Sequence, residues 1–157
     1  MAGKTHTYTA RIEWTNASGT GTTDYKAYSR DHVIHVAGKA AIAASSDPAF
    51  RGDASRHNPE DLFVASVSSC HMLWYLHLAA VAGVVVVGYE DEATGTMAED
   101  AKTGGHFTSV VLRPRVTISA TSDREKARAA HDTAHKMCFI ANSVNFPVTC
   151  EPAIIAG

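Results

Sequence analysis

The sequence predicts an α+β fold, in which strands precede, separate and follow two helices. Three observations carry this prediction. Apolar and polar residues alternate near the N-terminus with the period of two that is typical of strands. Two helix-start signals, at Asn58 and Ser122, each open a segment of helical character. The resulting order of strands, helix, two strands, helix and strand lacks the βαβ alternation of an α/β fold.

The composition indicates one globular domain, spanning residues 1–157. Apolar residues make up 45% of the chain and charged residues 19%, and the net charge of -2 comes without a basic run, so nucleic acid is not an expected partner. The N-terminus lacks the apolar region of a secretory signal. The most apolar stretch, residues 72–87, is interrupted by His77 and Gly83 and falls short of the roughly 18 residues of a membrane span. We therefore expect a cytoplasmic protein without a membrane partner.

The first strands are predicted at residues 5–14, 21–28 and 32–36. The first two are separated by Asn-Ala-Ser-Gly at residues 16–19, which favours a hairpin. Residues 45–57 contain an Asp-Pro pair, a glycine and two arginines, which is typical of a functional loop.

The first helix is predicted to begin at Asn58, which can cap it. Pro59 suits the first helical position, and Asp61 completes a box-like cap. The helix is expected to run to about Ala82 and to stop at Gly83. Apolar side chains lie on almost every face, so we expect a central, buried helix.

Two long strands, at residues 84–97 and 106–120, are predicted to follow. The pair Gly104-Gly105 favours a hairpin turn between them, and Pro114 is compatible only with a sheet edge or a bulge.

A second capping box, Ser122 with Glu125, predicts a helix to about Ser143. The last strand is predicted at residues 147–155.

Two cysteines are the candidates for a reactive thiol. Cys70 lies in the middle of the first helix, among small serines that leave space for a substrate and can hydrogen-bond a thiolate. Cys138 lies late in the second helix, with His135 one turn before it. The sulfurs meet only if the two helices pack side by side, and the alternative is that both cysteines are small buried hydrophobes.

A reactive thiolate needs a nearby positive charge, and the helix N-terminus is too far from Cys70 to supply it. An arginine from elsewhere is required. The candidates are Arg51, Arg56 and Arg30, each of which is otherwise a solvated loop charge. Glu60 is a suitable carboxylate to hold such a guanidinium in a bidentate pose.

The segment 58–71, Asn-Pro-Glu-Asp-Leu-Phe-Val-Ala-Ser-Val-Ser-Ser-Cys-His, resembles the first-cysteine motif of the OsmC/Ohr family of hydroperoxide reductases. The later Ala-His-Lys-Met-Cys at residues 134–138 resembles the second-cysteine helix of that family. The resemblance implies antiparallel sheets packed around two central helices, in an intertwined homodimer with its active sites at the interface.

The resemblance also implies roles for the candidate residues. Cys70 corresponds to the thiol that attacks the peroxide, Cys138 to the resolving thiol, and Glu60 to the carboxylate that orients an arginine. Arg51 looks most like that arginine, while the other two candidates remain open. One departure is that Phe139 follows the second cysteine where the family commonly has proline, which leaves the helix able to continue.

Spacing adds an argument about which chain supplies each residue. Glu60 lies roughly 15 Å from Cys70 along a continuous helix, at about 1.5 Å per residue. A carboxylate at that distance does not support an arginine on Cys70 within one chain unless the loop folds back. We therefore expect the site to be shared between two subunits.

The predicted activity is a thiol-dependent peroxidase without a cofactor, which reduces organic hydroperoxides better than hydrogen peroxide. A dithiol, of the lipoyl type or another, is expected to reduce the Cys70–Cys138 disulfide. Four aromatic or apolar residues are candidates for favouring organic substrates: Phe50, Phe63, Trp74 and Phe139. The alternatives are a cysteine-nucleophile hydrolase and a non-catalytic, stress-associated ligand-binding dimer.

The remaining cysteine and the histidines predict less. Cys150, in the last strand, is interpreted as structural, and His135 either tunes Cys138 or is a satisfied, partly buried histidine. His71 and His77 are six residues apart, a poor spacing for one helix face. No CxxC pattern accompanies them, so no metal site is predicted.

Overall fold

The computed structural model describes residues 3–15 and 18–157. The chain divides into two compact units, residues 1–62 and 63–157, and the boundary falls inside the first helix. The assignment of residues 1–157 to one domain stays a prediction.

The first unit contains one antiparallel sheet. Its strands are β1 (Arg11–Trp14), β2 (His32–His35) and β3 (Ile42–Ala44). Strand β2 lies in the centre, with Trp14 opposite His32 on one side and Ile34 opposite Ile42 on the other. The short strand predicted at residues 32–36 is therefore confirmed.

The predicted hairpin between residues 5–14 and 21–28 is wrong. Residues 21–28 form turns, and β1 pairs with β2 instead. Asp24 competes with an extended strand there, because its carboxylate accepts a hydrogen bond from the N–H of Lys26 at 2.8 Å. Residues 16 and 17 of the predicted turn lie outside the described residues.

Residues 45–57 form the predicted loop. Ser45 is fully buried, and its hydroxyl accepts a hydrogen bond from the N–H of Asp53 at 3.0 Å. The N–H of Ser45 donates to the carbonyl of His57 at 2.9 Å. A short 3-10 helix, Pro48–Phe50, lies inside the loop. These bonds hold both ends of the loop close together immediately before the first helix.

Helix α1 (Pro59–Val81) begins and ends where the sequence predicts, to within one residue. The N–H of Asp61 donates to the Asn58 side chain at 2.8 Å, and the N–H of Asn58 donates back to the Asp61 carboxylate at 3.4 Å. Gly83 has a φ of 74°, the left-handed conformation in which glycine commonly ends a helix.

The second unit contains two three-stranded sheets. One has the order β4 (Val86–Asp91), β7 (Pro114–Ile118), β9 (Ala153–Ala156), and the other has the order β5 (Thr94–Ala98), β6 (His106–Leu112), β8 (Val148–Cys150). Strands β4 and β7 are antiparallel, as are β5 and β6. The last two strands, β8 and β9, join their sheets in parallel. The α+β class is confirmed, with one parallel strand added to each antiparallel pair.

Each long strand predicted for this unit is in fact two strands, one in each sheet. The break between β6 and β7 falls at Arg113. Its N–H donates to the side-chain carboxylate of Asp91 at 2.7 Å and not to the backbone carbonyl of a neighbouring strand. Pro114, which has no N–H, then begins β7. Alternation of apolar and polar residues continues across such a break, which is why the pattern predicts a single strand.

Helix α2 (Arg124–Met137) starts one residue later than predicted, because Asp123 and not Ser122 caps it. The Asp123 carboxylate accepts hydrogen bonds from two N–H groups of the first turn, at 2.9 and 3.1 Å. Ser122 accepts instead from the N–H of Val85 at 2.9 Å, which ties the start of α2 to the chain just before β4.

Replacing Asp123 with alanine is expected to lower the free energy of unfolding by about 1 kcal/mol, because two helix N–H groups lose their acceptor. Urea denaturation measures this change. Asp132→Ala, at an exposed position in the middle of α2, is the matched control and is expected to leave stability unchanged or slightly higher. Equal destabilisation by both substitutions would contradict the assignment of the cap.

The larger core of the second unit joins both helices to the β4-β7-β9 sheet. Its buried members are Tyr75, Ala79, Val84, Val116, Ile118, Ala127, Ala130, Ala134 and Ile154. A smaller core joins α1 to the other sheet through Val67, Val110, Leu112 and Val148. Both clusters place one face of α1 against strands and so fix the position of Cys70.

Helix α1 is less buried than predicted. Its fully buried residues form one stripe at a spacing of four, from Val67 to Ala79, whereas Leu73 is 63% exposed. By length and composition α1 meets the criteria for a membrane-spanning helix, and a core helix of a soluble protein meets them too. Burial of the exposed apolar face in a dimer stays a prediction.

Candidate active site

The structure brings Cys70 and Cys138 together. Cys70 lies in the middle of α1 with its side chain partly exposed, while Cys138 directly follows α2 and is 1% exposed. The two side chains are hydrogen-bonded neighbours, and both are free thiols. A disulfide between them requires the two sulfurs to close to about 2.05 Å.

Cys138 is held in its thiol form. Burial raises its pKa, and the contact with Cys70 raises it further. The N–H groups of Ala141 and Ile140 hydrogen-bond to the Cys138 sulfur and lower the pKa, but they offset only part of the effect. The partly exposed thiol of the pair is therefore the one that a solvent-borne substrate meets first.

The prediction that α2 continues to Ser143 is wrong, because the chain leaves the helix at Cys138. This residue has extended backbone angles, with φ -67° and ψ 110°. The Asn142 side chain donates to the carbonyl of Lys136 at 3.0 Å and so satisfies one acceptor at the helix end. The interpretation that Phe139 allows the helix to continue is therefore wrong as well.

The serines that precede Cys70 do not point their hydroxyl groups at its sulfur. Ser66 and Ser69 donate to carbonyls of α1, at 2.7 and 3.3 Å. Ser68 donates to the Asp91 carboxylate at 2.5 Å. The expectation that these hydroxyls stabilise a thiolate is therefore wrong, because each of them already donates a hydrogen bond elsewhere. Serines in a helix commonly donate to a carbonyl of the preceding turn.

Aromatic side chains flank the cysteine pair. Trp74 lies one turn after Cys70 on the same helix face, and Phe139 directly follows Cys138. The two rings meet edge to face with centroids 5.6 Å apart, and Phe139 is 68% exposed. An apolar cavity of about 260 Å³ lies beside them, lined by Leu73, Trp74 and His77. The surroundings of the two sulfurs therefore offer apolar contact to a ligand.

All three candidate arginines lie in the first unit, and two of them are occupied there. Arg56 is paired with the carboxylates of Asp31 and Asp53, at 3.6 and 3.7 Å. Arg30 donates to two backbone carbonyls, and its guanidinium lies 3.9 Å from the centroid of the Tyr28 ring. Each of these guanidinium groups already has neutralising or stacking partners.

Arg51 and Glu60 have fewer partners. Arg51 is exposed at a left-handed position, φ 66°, and its guanidinium lies 5.9 Å from the centroid of the Tyr25 ring, with no ion pair or side-chain hydrogen bond among the described residues. The Oε2 atom of Glu60 is buried and has no hydrogen-bond partner among the described residues. A buried carboxylate oxygen without a partner is costly, so a donor from outside the described residues would stabilise Glu60.

A buried cluster of His71, His131 and Cys150 was missed by the sequence analysis. His71 lies on α1, His131 on α2 and Cys150 at the end of β8. Burial lowers the pKa of His71 and takes the pKa of His131 to about 3, so both imidazoles are neutral. Each histidine falls on the buried stripe of its helix, which only the folded structure identifies.

Comparison with known proteins identifies relatives of this chain. A family model described as OsmC-like protein matches residues 52–152. An OsmC-like protein of unknown function from Vibrio cholerae shares 36% sequence identity, with a TM-score of 0.87 over 94% of this chain and 99% of that one.

More distant structures share the fold. An organic hydroperoxide resistance protein OsmC from Legionella pneumophila is 17% identical, with a TM-score of 0.70 over 98% of this chain and 99% of that one. An OsmC-like protein from Mycoplasma pneumoniae is 10% identical, with a TM-score of 0.75 over 96% and 98%. No curated protein sequence matches significantly. The predicted α+β arrangement is thus confirmed as that of OsmC-like proteins. Since the family model spans well over half of the chain, and a close structural relative covers nearly all of it, this chain belongs to the OsmC-like family.

Proposed function

We propose that this chain is a thiol-dependent peroxidase that reduces organic hydroperoxides, with Cys70 as the attacking thiol and Cys138 as the resolving thiol. The observation that carries the proposal is the contact between a partly exposed and a buried free thiol on the two helices. The name of the Legionella pneumophila relative, an organic hydroperoxide resistance protein, agrees with it.

The proposed reaction has three balanced steps. The Cys70 thiolate attacks the distal oxygen of ROOH, the O–O bond breaks, and the product is a Cys70 sulfenic acid and an alcohol after proton uptake. Cys138 then displaces water from the sulfenic acid and forms a Cys70–Cys138 disulfide. A dithiol reduces this disulfide by exchange and is itself oxidised. A reducing compartment such as the cytoplasm fits a pair that must return to free thiols.

The apolar surroundings support an organic substrate. Trp74 and Phe139 present aromatic surface beside the sulfurs, and Phe139 is largely exposed. Contact between such a surface and an alkyl or aryl group stabilises the complex, because apolar area is removed from water. Hydrogen peroxide has no apolar group to contribute to such a contact. The test is dithiol consumption with cumene hydroperoxide and with hydrogen peroxide at equal concentration. We expect the organic peroxide to have the higher kcat/KM. No turnover with either peroxide would point instead to a non-catalytic ligand-binding dimer.

The charge that activates Cys70 is proposed to come from Arg51, oriented by Glu60 and supplied by a second subunit of a homodimer. Two observations support this assignment. Among the described residues, Arg51 is the candidate arginine whose side chain has neither an ion pair nor a hydrogen bond, and Glu60 has a buried oxygen without a partner. A guanidinium bound to that oxygen satisfies it and fixes the position of the positive charge.

The pH dependence of disulfide closure is a further prediction. Because the pKa of Cys138 is raised, only a small fraction of it is ionised at neutral pH, and this fraction grows about tenfold per pH unit below the pKa. We expect the rate of closure after a single addition of peroxide to keep rising above pH of about 8.5, the usual thiol pKa. Stopped-flow fluorescence of Trp74 in a Trp14→Phe chain measures this rate. A plateau below that pH would contradict the raised pKa.

A further inference from the structure

Three atoms that can bind a metal converge inside the second unit. The Nε2 atom of His71 lies 3.0 Å from the Nδ1 atom of His131. The Sγ atom of Cys150 lies 3.6 Å from the first of these nitrogens and 3.9 Å from the second. These three atoms belong to residues far apart in the sequence, so only the fold brings them together.

The spacing of the three atoms is close to that of a tetrahedral metal site. Zinc binds imidazole nitrogen at about 2.0–2.1 Å and thiolate sulfur at about 2.3 Å, so tetrahedral angles place two nitrogens about 3.4 Å apart and nitrogen and sulfur about 3.6 Å apart. The observed separations of 3.0, 3.6 and 3.9 Å differ from these values by a few tenths of an ångström. The hydrogen bond that joins the two imidazole nitrogens has to open for an ion to enter, and the three donors already lie near the required separations.

The donor side chains are held by separate, well-packed elements. His71 is fully buried and His131 is 2% exposed, on α1 and α2 respectively. The Tyr75 ring stacks on His131 with a centroid distance of 3.9 Å. Cys150 lies opposite Leu112 in the β6–β8 pair. Rigid donors reduce the ordering cost of binding, because the side chains do not have to be gathered first.

The charges around the cluster favour a cation. The carboxylates of Asp91, Asp132 and Glu151 all act on Cys150 electrostatically, and they outnumber the one arginine among the described residues that acts on the cluster, Arg128 on His131. A cavity of about 450 Å³ lies beside the cluster and is lined by His131 and Cys150 together with Asp132 and His135. This cavity gives an ion a route to His131 and Cys150, two of the three donors, and leaves room for water or another ligand in a fourth position.

We propose that His71, His131 and Cys150 bind one divalent transition-metal ion of the zinc class, at a site distinct from the Cys70–Cys138 pair. Imidazole and thiolate donors select such ions over magnesium and calcium, which prefer oxygen. On binding, the Cys150 thiol loses its proton to the solvent and the thiolate becomes the third ligand. The site is independent of the peroxidase proposal, because it uses none of the residues assigned to that reaction.

The test uses the full-length Cys70→Ser/Cys138→Ser chain, in which Cys150 is the only thiol. We expect this chain to bind one Zn²⁺ in competition with a chromogenic chelator, and to show a near-ultraviolet thiolate-to-metal charge-transfer band with Co²⁺. Magnesium should not compete. The band should disappear when the chain is unfolded in urea, because only the fold assembles the donors. Absence of the cobalt band in the folded chain would overturn the proposal.

Ligand variants in the same background sharpen the test. His71→Gln and His131→Gln are each expected to weaken zinc binding at least about 100-fold, since the removal of even a supporting group often costs 10–100-fold. His77→Gln, at an exposed histidine of the same helix, is the matched control and should bind zinc as tightly as its parent. Unchanged affinity in both ligand variants, or an equal loss in the control, would contradict the site. If a ligand variant does not fold, the cobalt band of the parent chain decides alone.

Discussion

Replacing Cys70 with serine is expected to reduce peroxide-dependent dithiol consumption to background, a loss of roughly a thousandfold or more. A serine hydroxyl is not ionised at neutral pH and does not form the sulfenic acid through which the proposed reaction passes. The measurement is steady-state turnover with cumene hydroperoxide and a dithiol. Undiminished turnover in this variant would rule out Cys70 as the attacking thiol.

Cys138→Ser is the informative partner variant, because it keeps the attacking thiol. We expect one rapid reaction with peroxide, followed by a sulfenic acid that no disulfide relieves. A sulfenic-acid trapping reagent should therefore label Cys70 in this variant and not in Cys70→Ser. Full steady-state turnover by Cys138→Ser would instead favour a scheme with one cysteine, in which the external thiol attacks the sulfenic acid directly. Cys150→Ser tests whether the third cysteine contributes, and we expect it to leave turnover in place.

Glu60→Ala is expected to lower kcat/KM roughly a hundredfold, because an arginine that loses its carboxylate partner is no longer held in position for the sulfur. Glu60→Gln keeps the shape but not the charge and serves as the matched variant. If the site is shared, a purified heterodimer of one Cys70→Ser and one Glu60→Ala subunit contains one complete site. It should recover up to half of the wild-type activity, as expected for one of two equivalent sites.

The same heterodimer can also give the result that would contradict a shared site. When Glu60 acts on Cys70 of its own chain, each subunit of the heterodimer lacks one essential group, and no activity returns. An Arg51→Ala subunit in place of the Glu60→Ala subunit asks the same question of the arginine. Recovery with one and not with the other would show which residue crosses the interface.

The elements that the sequence predicts best are those with strong local signals. The cap at Asn58, the stop at Gly83 and the loop before α1 depend on side-chain and backbone chemistry within a few residues, and the structure confirms them. The predicted ends of the second helix are both wrong, because neighbouring side chains compete to cap the helix. Asp123 caps the helix in place of Ser122, and the Asn142 side chain donates to the carbonyl of Lys136 at the end of α2.

Sheet organisation was less predictable, because pairing partners are distant in sequence. Periodicity identifies a strand such as residues 106–120 but does not reveal that its two halves belong to different sheets. The prediction of an N-terminal hairpin is wrong for the same reason. Strand β1 pairs with β2, which is not the nearest predicted strand in the sequence.

The candidate site divides in the same way. The contact between Cys70 and Cys138 was reachable from motifs at a characteristic separation. The cluster of His71, His131 and Cys150 was not, because its three members lie on two helices and a strand without any short spacing between them. Spacing rules for metal sites assume ligands that share a loop or a helix, and this cluster has neither.

The central claim is tested most directly by mapping the disulfide that forms when one equivalent of cumene hydroperoxide is added to the reduced chain. Alkylation of the remaining thiols, digestion and mass spectrometry identify the linked peptides. The proposed mechanism predicts a peptide pair joined through Cys70 and Cys138, with Cys150 alkylated. A disulfide that includes Cys150, or no disulfide after the peroxide has been consumed, would contradict it.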